Sequence, residues 1–493
     1  MKEITDVKRW MSAITAVLLG LPSLIMALLQ CITFFGYETK NEEAVAANFL
    51  TGSPYFIEEA AADTWSAGFA KEVLTPDDFE DEDYFLGGYL MFPAMRVTGV
   101  IDEIAVRAVV LDDNSGRGAV AFAWVDCVGL MNNDIKDIRA ALADLTKDGS
   151  LCSINVGATH THSAVDTQGL WGYIPNSGRN EKYMKQLVEK TAAAIRTAYE
   201  NKTDGTLYYT SEAHSEMFTD GRKPAVCDNN VHLFRFVPAD STKKEIYITN
   251  FGAHPVYVDY PNSKLSGDFP YYLEQAVIEK TGADFIFIQG AIGGGINAKM
   301  NTPSLVPDQT VDNFAKMQQF SVSVADILCD MAVKGKVVDP ILNIAHSQVE
   351  FEVNNFIFKL AEAANLCNAD AYARDFSVYL TSEIGYVEIG KNIKILEVPG
   401  EVLPELVYGG FLPAEEAANG TDYPYAALNT HFADTDEVLV FGLCNDALGY
   451  IIPDNDYTTN SDEGGHYEED VSTGSKSGSA LSAAFEKLFS EVK

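Results

Sequence analysis

Residues 155–166 read NVGATHTHSAVD, with His160 and His162 one residue apart directly behind the apolar run Ile154 to Val156. An apolar run followed by small and polar residues has the pattern of a buried strand that ends in a loop. Alternate residues of an extended segment project to the same side, so both imidazoles are expected to face one point. Such a pair is either half of a metal site or two polar loop residues, and the rest of the chain bears on the choice.

Other short β-rich runs are AVRAVVL (105–111), VAFAWVD (120–126), IYITNF (246–251), DFIFIQ (284–289), IKILEV (393–398) and EVLVFGL (437–443). Helical patterns lie between several of them, as in NDIKDIRAALADLT (133–146) and EKYMKQLVEKTAAAIRTAY (181–199). This order predicts an α/β protein, a mixed β-sheet core covered by helices with the active site at the strand ends. Four more segments load unusual residues just behind such runs: His254 in NFGAHP, the glycines of QGAIGGGIN (289–297), Glu401 in VPGE and Tyr450 in CNDALGY. Singly, each has a plain structural reading as a hydrogen-bonded histidine, a tight turn, a turn acid or a tyrosine at the core edge. Repeated at strand end after strand end, they suggest one shared crevice. His214, His232, His346, His431 and His466 have no comparable setting and read as structural.

A chain of 493 residues can bury a large core. Its 71 acidic and 35 basic residues leave a net charge of −36, a field that repels nucleic acid and anionic headgroups and argues against either as a main partner. The seven cysteines lack CxxC spacing, so neither a zinc-thiolate site nor a disulfide framework is indicated. From Trp10 to Gly36 no residue is charged, a run long enough to cross a bilayer as one helix. Lys2, Lys8 and Arg9 precede it and Glu38, Glu42 and Glu43 follow, which places the bulk of the chain outside the cytoplasm. The expected organisation is a cytoplasmic tail (1–10), a transmembrane anchor or signal segment (11–36), a linker (37–60) and one folded unit (61–493). That describes a single-pass protein of the cell membrane with an extracytoplasmic domain, or a secreted one if cleavage follows AVA at 44–46. The acidic stretches DDFEDEDYF (77–85) and DNDYTTNSDEGGHYEED (454–470) read as solvated loops.

With these residues in hand, the chain resembles the neutral/alkaline (non-lysosomal) ceramidase family in its N-terminal catalytic domain. The likeness runs from AGFAKEVLTP (67–76) to the C-terminus and includes VTGVIDEIAVRAVVLDD, ATHTHS, NFGAHP, SGDFPYYLEQ, VPGE and GLCNDALGY in order. The resemblance implies that His160, His254, Glu401 and Tyr450 hold one Zn2+ ion. It also implies that His162 handles protons beside the metal and that Arg222, in TDGRKPAV, helps hold the substrate. Asp268 occupies the family's aspartate after the HP motif, without an assigned role. Bound zinc lowers the pKa of water to roughly 7 and polarises a carbonyl, which fits hydrolysis of an N-acyl bond. The implied substrate is a ceramide-like lipid, split into a fatty acid and an amine.

Two departures bear on that expectation. Where the family carries Gly-Asp-x-Ser-Pro-Asn, this chain reads AIGGGINA (291–298), so Gly294 and Ile296 replace the aspartate and serine. The loop then reads either as a turn that needs positive φ or as a source of backbone amide donors. THTHS also continues as Ala164-Val165 instead of Gly-Pro, and Ala447 replaces a tyrosine. The family's C-terminal domain is expected to be absent. A zinc amidohydrolase on an altered substrate, a zinc esterase and a catalytically inactive lipid-binding protein therefore all stand as readings.

Overall fold

No residue of Ala119–Val125 is exposed on either face, and the same holds for Ala105 to Leu111 beside it. Strands buried on both sides need one layer above and another below. The computed structural model describes residues 56–89, 94–173, 176–258, 261–363, 366–375, 377–459 and 467–492, and it supplies both layers.

The first sheet has nine strands. They are β1 (Trp65–Val73), β2 (Ala105–Asp112), β3 (Ala119–Val125), β4 (Leu151–Ala158), β5 (Thr203–Ala213), β6 (Asn230–Pro238), β7 (Ile246–Phe251), β8 (Asp284–Gln289) and β9 (Lys336–Val337). Their spatial order is β8-β7-β6-β5-β1-β2-β3-β4, with β9 pairing β5. The pairs β3/β4 and β7/β8 are parallel and the others antiparallel, so the sheet is mixed. A second sheet of five strands follows. It contains β10 (Leu342–Val353), β11 (Ala371–Arg374), β12 (Ser377–Ile389), β13 (Ile393–Glu397) and β14 (Glu437–Phe441) in the order β10-β12-β13-β14, with β11 on β12.

The two sheets face each other, with Val109, Phe122 and Ile288 of the first meeting Ile344, Val387 and Phe441 of the second. Helices α1 (Asn132–Ala141) and α2 (Glu181–Glu200) cover one half of the outer face of the first sheet. Helices α3 (Asp268–Thr281) and α4 (Asn313–Ala332) cover the other half. A short α5 (Phe356–Ala363) precedes α6 (Ser477–Val492), which packs on the second sheet through Leu481, Phe485 and Leu488. In α2 the Asn180 side chain accepts from the Tyr183 N–H, and the buried Tyr183, Leu187, Thr191 and Ala194 recur at helical spacing.

The expected class is met in its mixed sheet and covering helices, whereas the second sheet is an added layer. Strand β12 is hard to read from sequence because its buried Thr381, Ser382 and Glu383 interrupt the apolar pattern. The stretch 454–470 is not simply a solvated loop: Asp454, Asn455, Asp456, Glu468 and Glu469 are all buried. Residues 1–55, which include the segment 11–36, lie outside the described residues, as does His466. Among the described residues no helix is long and apolar enough to cross a membrane. Phe56 stacks on Tyr386, and the Ile57 N–H donates to Asn343 Oδ1 at 2.9 Å, so packing begins before residue 61.

One buried ion pair ties the β4 edge of the first sheet to the second. Arg139 of α1 donates to both carboxylate oxygens of Glu383 at 3.1 and 2.7 Å, and through Nε to the Ile154 carbonyl at 3.0 Å. Removing the carboxylate would strand a buried guanidinium. Glu383→Ala is expected to lower the unfolding free energy by about 3–5 kcal/mol, read as a fall in the urea midpoint. A loss within about 0.5 kcal/mol, the usual size at a surface site, would show that the pair carries no structural weight.

Candidate metal centre

The backbone turns sharply where β4 ends. His160 adopts φ +70°, in the left-handed region that costs a residue with a Cβ about 1–3 kcal/mol. The turn is held by the His160 N–H, which donates to the Cys127 carbonyl at 3.0 Å. His160 Nδ1 lies 2.6 Å from the Val128 carbonyl, and His254 Nδ1 lies 2.8 Å from the Ile296 carbonyl. A carbonyl only accepts, so each Nδ1 carries the proton and each Nε2 presents a lone pair. Both lone pairs converge on Glu401, whose Oε2 is 3.1 Å from His254 Nε2 and 3.4 Å from His160 Nε2.

Glu401 and Tyr450 are direct partners in the parallel two-residue pair Glu401–Val402 with Tyr450–Ile451. The Tyr450 hydroxyl is 3.5 Å from His254 Nε2. Four remote segments therefore deliver His160, His254, Glu401 and Tyr450 to one buried place. The ligand atoms of the two histidines and the glutamate all lie within 4.8 Å of one another. Zinc bonds of 2.0–2.1 Å in a tetrahedral shell give ligand separations of about 3.3–3.4 Å. The spacings here, together with imidazoles oriented by backbone carbonyls, fit a divalent cation.

His162 stands beside this group, with its Nε2 3.2 Å from His160 Nε2 and its ring edge-on to Tyr89. Its Nδ1 is buried with no hydrogen-bond partner among the described residues. A Cβ at Gly88 would fall 2.4 Å from His162 Cγ, so only glycine seats the ring there. Burial, then repulsion from His160 and His254, holds the His162 pKa well below its ordinary value, so the ring is neutral. Burial pushes Glu401 up, but His160 and His254 more than offset this and its carboxyl falls below the usual range. Tyr467 completes the cluster, its hydroxyl 3.0 Å from that of Tyr450. Burial pushes the Tyr467 hydroxyl up to about 12, so it stays protonated at neutral pH.

These groups sit at one end of a cavity of about 620 Å3, a size suited to a small-molecule ligand. Much of its wall is apolar, including Met131, Leu170, Trp171, Phe358, Leu380 and Leu448. Sequence reasoning missed Tyr467 because it lies in the acidic stretch 454–470, where its neighbours suggest solvent.

Arg222 is a correction. Its guanidinium does not line the cavity but is buried against Asp456 at 2.8 Å, Glu468 at 3.2 Å and Glu469 at 3.0 Å. With its donors directed at carboxylates it has none to offer a substrate, and it instead anchors the segment that presents Tyr467. Asp268 now has a role, since its Oδ2 accepts from the Tyr257 and Val258 N–H groups at 2.8 Å and shapes the loop behind His254. In the glycine loop, Gly294 and Gly295 adopt φ +82° and +69°, as the turn reading requires. The Ile296 side chain is buried away from the cavity wall, while its carbonyl orients His254. The remaining described histidines have other partners: His232 meets Tyr209 and Asp228, His214 meets Glu216, His346 meets Ser153 and His431 packs on Phe489.

A two-histidine, one-carboxylate cluster at the strand ends of a two-sheet α/β fold, with a tyrosine paired to the carboxylate, defines a candidate metal-binding site. No protein-family model and no curated protein matches the sequence. Solved structures are. The fold is that of neutral ceramidase: the chain is similar to the crystal structure of neutral ceramidase from Pseudomonas aeruginosa with a TM-score of 0.63 and 18% identity, over 87% of this chain and 74% of that one. It is likewise similar to a ceramidase complexed with C2, with a TM-score of 0.63, 16% identity and the same coverage.

Metal loading tests the centre directly. Purified protein is expected to bind one zinc per chain, measured by elemental analysis, and His160→Ala or Glu401→Ala to lose it. Chelation should lower Tm, because an ion that binds only the folded state adds about 2.7 kcal/mol at a hundredfold excess over Kd. Unchanged zinc content in both variants would remove the site.

Proposed function

We propose that the chain is a zinc-dependent amidohydrolase of the ceramidase type, cleaving the N-acyl bond of a ceramide-like lipid to a fatty acid and a sphingoid amine. The observation that carries this reading is the convergence of His160, His254, Glu401 and Tyr450 at the head of an apolar cavity. A zinc ion held there would supply a nucleophilic water near neutral pH and polarise the amide carbonyl.

The chain's own residues supply the rest. His162, neutral and with its Nε2 beside the ligand nitrogen of His160, can take the proton of the attacking water and return it to the leaving amine nitrogen. The Tyr467 hydroxyl, protonated and facing the cavity beside Tyr450, can donate to the carbonyl oxygen as charge develops. The apolar wall accommodates the acyl chain and excludes water from it. The uncharged run 10–36 supports placement at the cell membrane as a single-pass protein with the catalytic unit 61–493 outside the cytoplasm, or secretion after cleavage.

The inactive lipid-binding reading is motivated by Gly294 and Ile296, and the esterase reading by the relative ease of ester cleavage. Fatty-acid release from N-acyl sphingoid amides, set against matched esters, separates the three. Amide turnover is expected, falling by about 10²–10⁴ in kcat for His162→Ala with zinc retained. Tyr467→Phe should lower kcat by about 10²–10³. Full zinc loading with no turnover of any amide or ester would leave the binding protein, and ester turnover alone would leave the esterase.

A further inference from the structure

Helix α5 has more apolar surface than the protein buries. Its residues Phe358 and Ala361 form part of the cavity wall. Phe356, Ile357 and Leu360 face outward and are 36%, 53% and 36% exposed. On a helical projection of about 100° per residue, these five side chains span an arc of about 200°, twice the width of an ordinary core-facing stripe. The cavity takes one half of that arc and solvent meets the other.

The helix is fixed at the cavity rim. Asn355 Nδ2 donates to the carbonyls of Asp470 and Ser472 at 2.9 Å, and the Asn354 N–H donates to Thr473 at 2.9 Å. This joins α5 to the segment that carries Tyr467, itself 54% exposed. The outward face therefore lies on a helix that also walls the cavity, unlike the exposed Val333 and Val337, which lie at the end of α4 and on β9.

We infer that the Phe356, Ile357 and Leu360 face of α5 docks on a bilayer of neutral, zwitterionic lipid and delivers its substrate to the cavity. The inference rests on the lipid-hydrolase reading above. Two further observations select this occupant. Nineteen residues separate the uncharged run ending at Gly36 from Phe56, and an extended chain of that length reaches at most about 65 Å. Phe56 packs at the start of β10, beside Tyr386 and Asn343, and α5 follows the end of that strand, a distance of about 40 Å along the strand that such a tether can span. The charge also fits: a chain of net charge −36 is repelled by anionic lipid, whereas residues 356–361 carry only Lys359. An amphipathic face of this kind binds an interface through buried apolar area.

The test uses the full chain with vesicles of phosphatidylcholine, with and without brominated acyl chains. Ile357→Trp and, as a control, Val333→Trp are compared with wild type for quenching by the brominated lipid. Quenching of the indole introduced at 357 and not at 333 is expected. Equal quenching at both positions, or none at 357, overturns docking through α5. In a second arm, Phe356→Ser/Ile357→Ser/Leu360→Ser is expected to cut turnover of a vesicle-embedded N-acyl amide by about tenfold or more. A soluble short-acyl amide should be hydrolysed within about twofold of wild type, since the three side chains lie outside the cavity. An equal fall on both substrates makes the face a cavity support and overturns the proposal, as does sedimentation showing that it is buried between two copies. If no amide is hydrolysed at all, the functional reading fails, while the quenching arm still decides the docking.

Discussion

A carboxylate buried between two imidazoles, with no lysine or arginine among the described cavity-lining residues, is the constraint around which the site is organised. Moving such a charge out of water costs several kcal/mol unless a cation compensates it. Arg222, which the family resemblance implied would face the substrate, is committed to three other carboxylates. A proton on one imidazole would form one ion pair, but it would leave unexplained why a second lone pair and a phenol hydroxyl converge on the same point. A divalent cation would balance the glutamate and use all of them. The strained backbone of His160 is consistent with this, because a conformation costing a few kcal/mol persists only where the surroundings hold it.

The two-sheet scaffold makes that convergence possible. His160 and His254 follow strands of the first sheet, while Glu401 follows β13 of the second. Their separation depends on how the sheets are registered against each other. Asn445, at φ +63°, acts as a fastener between them. Its N–H donates to the Val156 carbonyl at 2.8 Å, and its Oδ1 accepts the Val156 N–H at 3.0 Å. Its Nδ2 reaches Glu383 on β12 at 3.0 Å. One side chain thus binds the strand that leads to His160, the second sheet and the loop that leads to Tyr450. Buried and fully satisfied polar groups of this sort specify one arrangement where apolar contacts would tolerate several.

The strand ends were legible in the sequence because runs such as VAFAWVD are apolar on both faces, and a polar residue directly behind them stands out. The geometry inside the HxH pair was not. Extended alternation would point both rings one way, yet His160 sits in a left-handed turn, and the two Nε2 atoms meet for a different reason. The second sheet was obscured by Glu383 and its neighbours, polar residues whose partners lie far away in the chain. Tyr467 and Arg222 failed in opposite directions for one cause. Local composition gave no sign that Tyr467, half exposed, also reaches the site, and motif position marked Arg222 as substrate-facing, whereas long-range ion pairs bury the guanidinium and carry the tyrosine to the site.

The glycine loop shows how the main chain places a residue of the cluster without help from the side chains at 294 and 296. A Cβ at Gly293 would approach the Leu403 nitrogen to 2.5 Å, and the Gly294 carbonyl accepts the Gly221 N–H at 3.1 Å. What the loop gives His254 comes from the Ile296 backbone, whose carbonyl meets both the His254 N–H and Nδ1. Position 294 is a glycine at φ +82° and the Ile296 side chain is buried, so neither contributes a group to the cluster. The loop places its histidine through the main chain, and a residue with a Cβ at 294 would have to accept a left-handed turn.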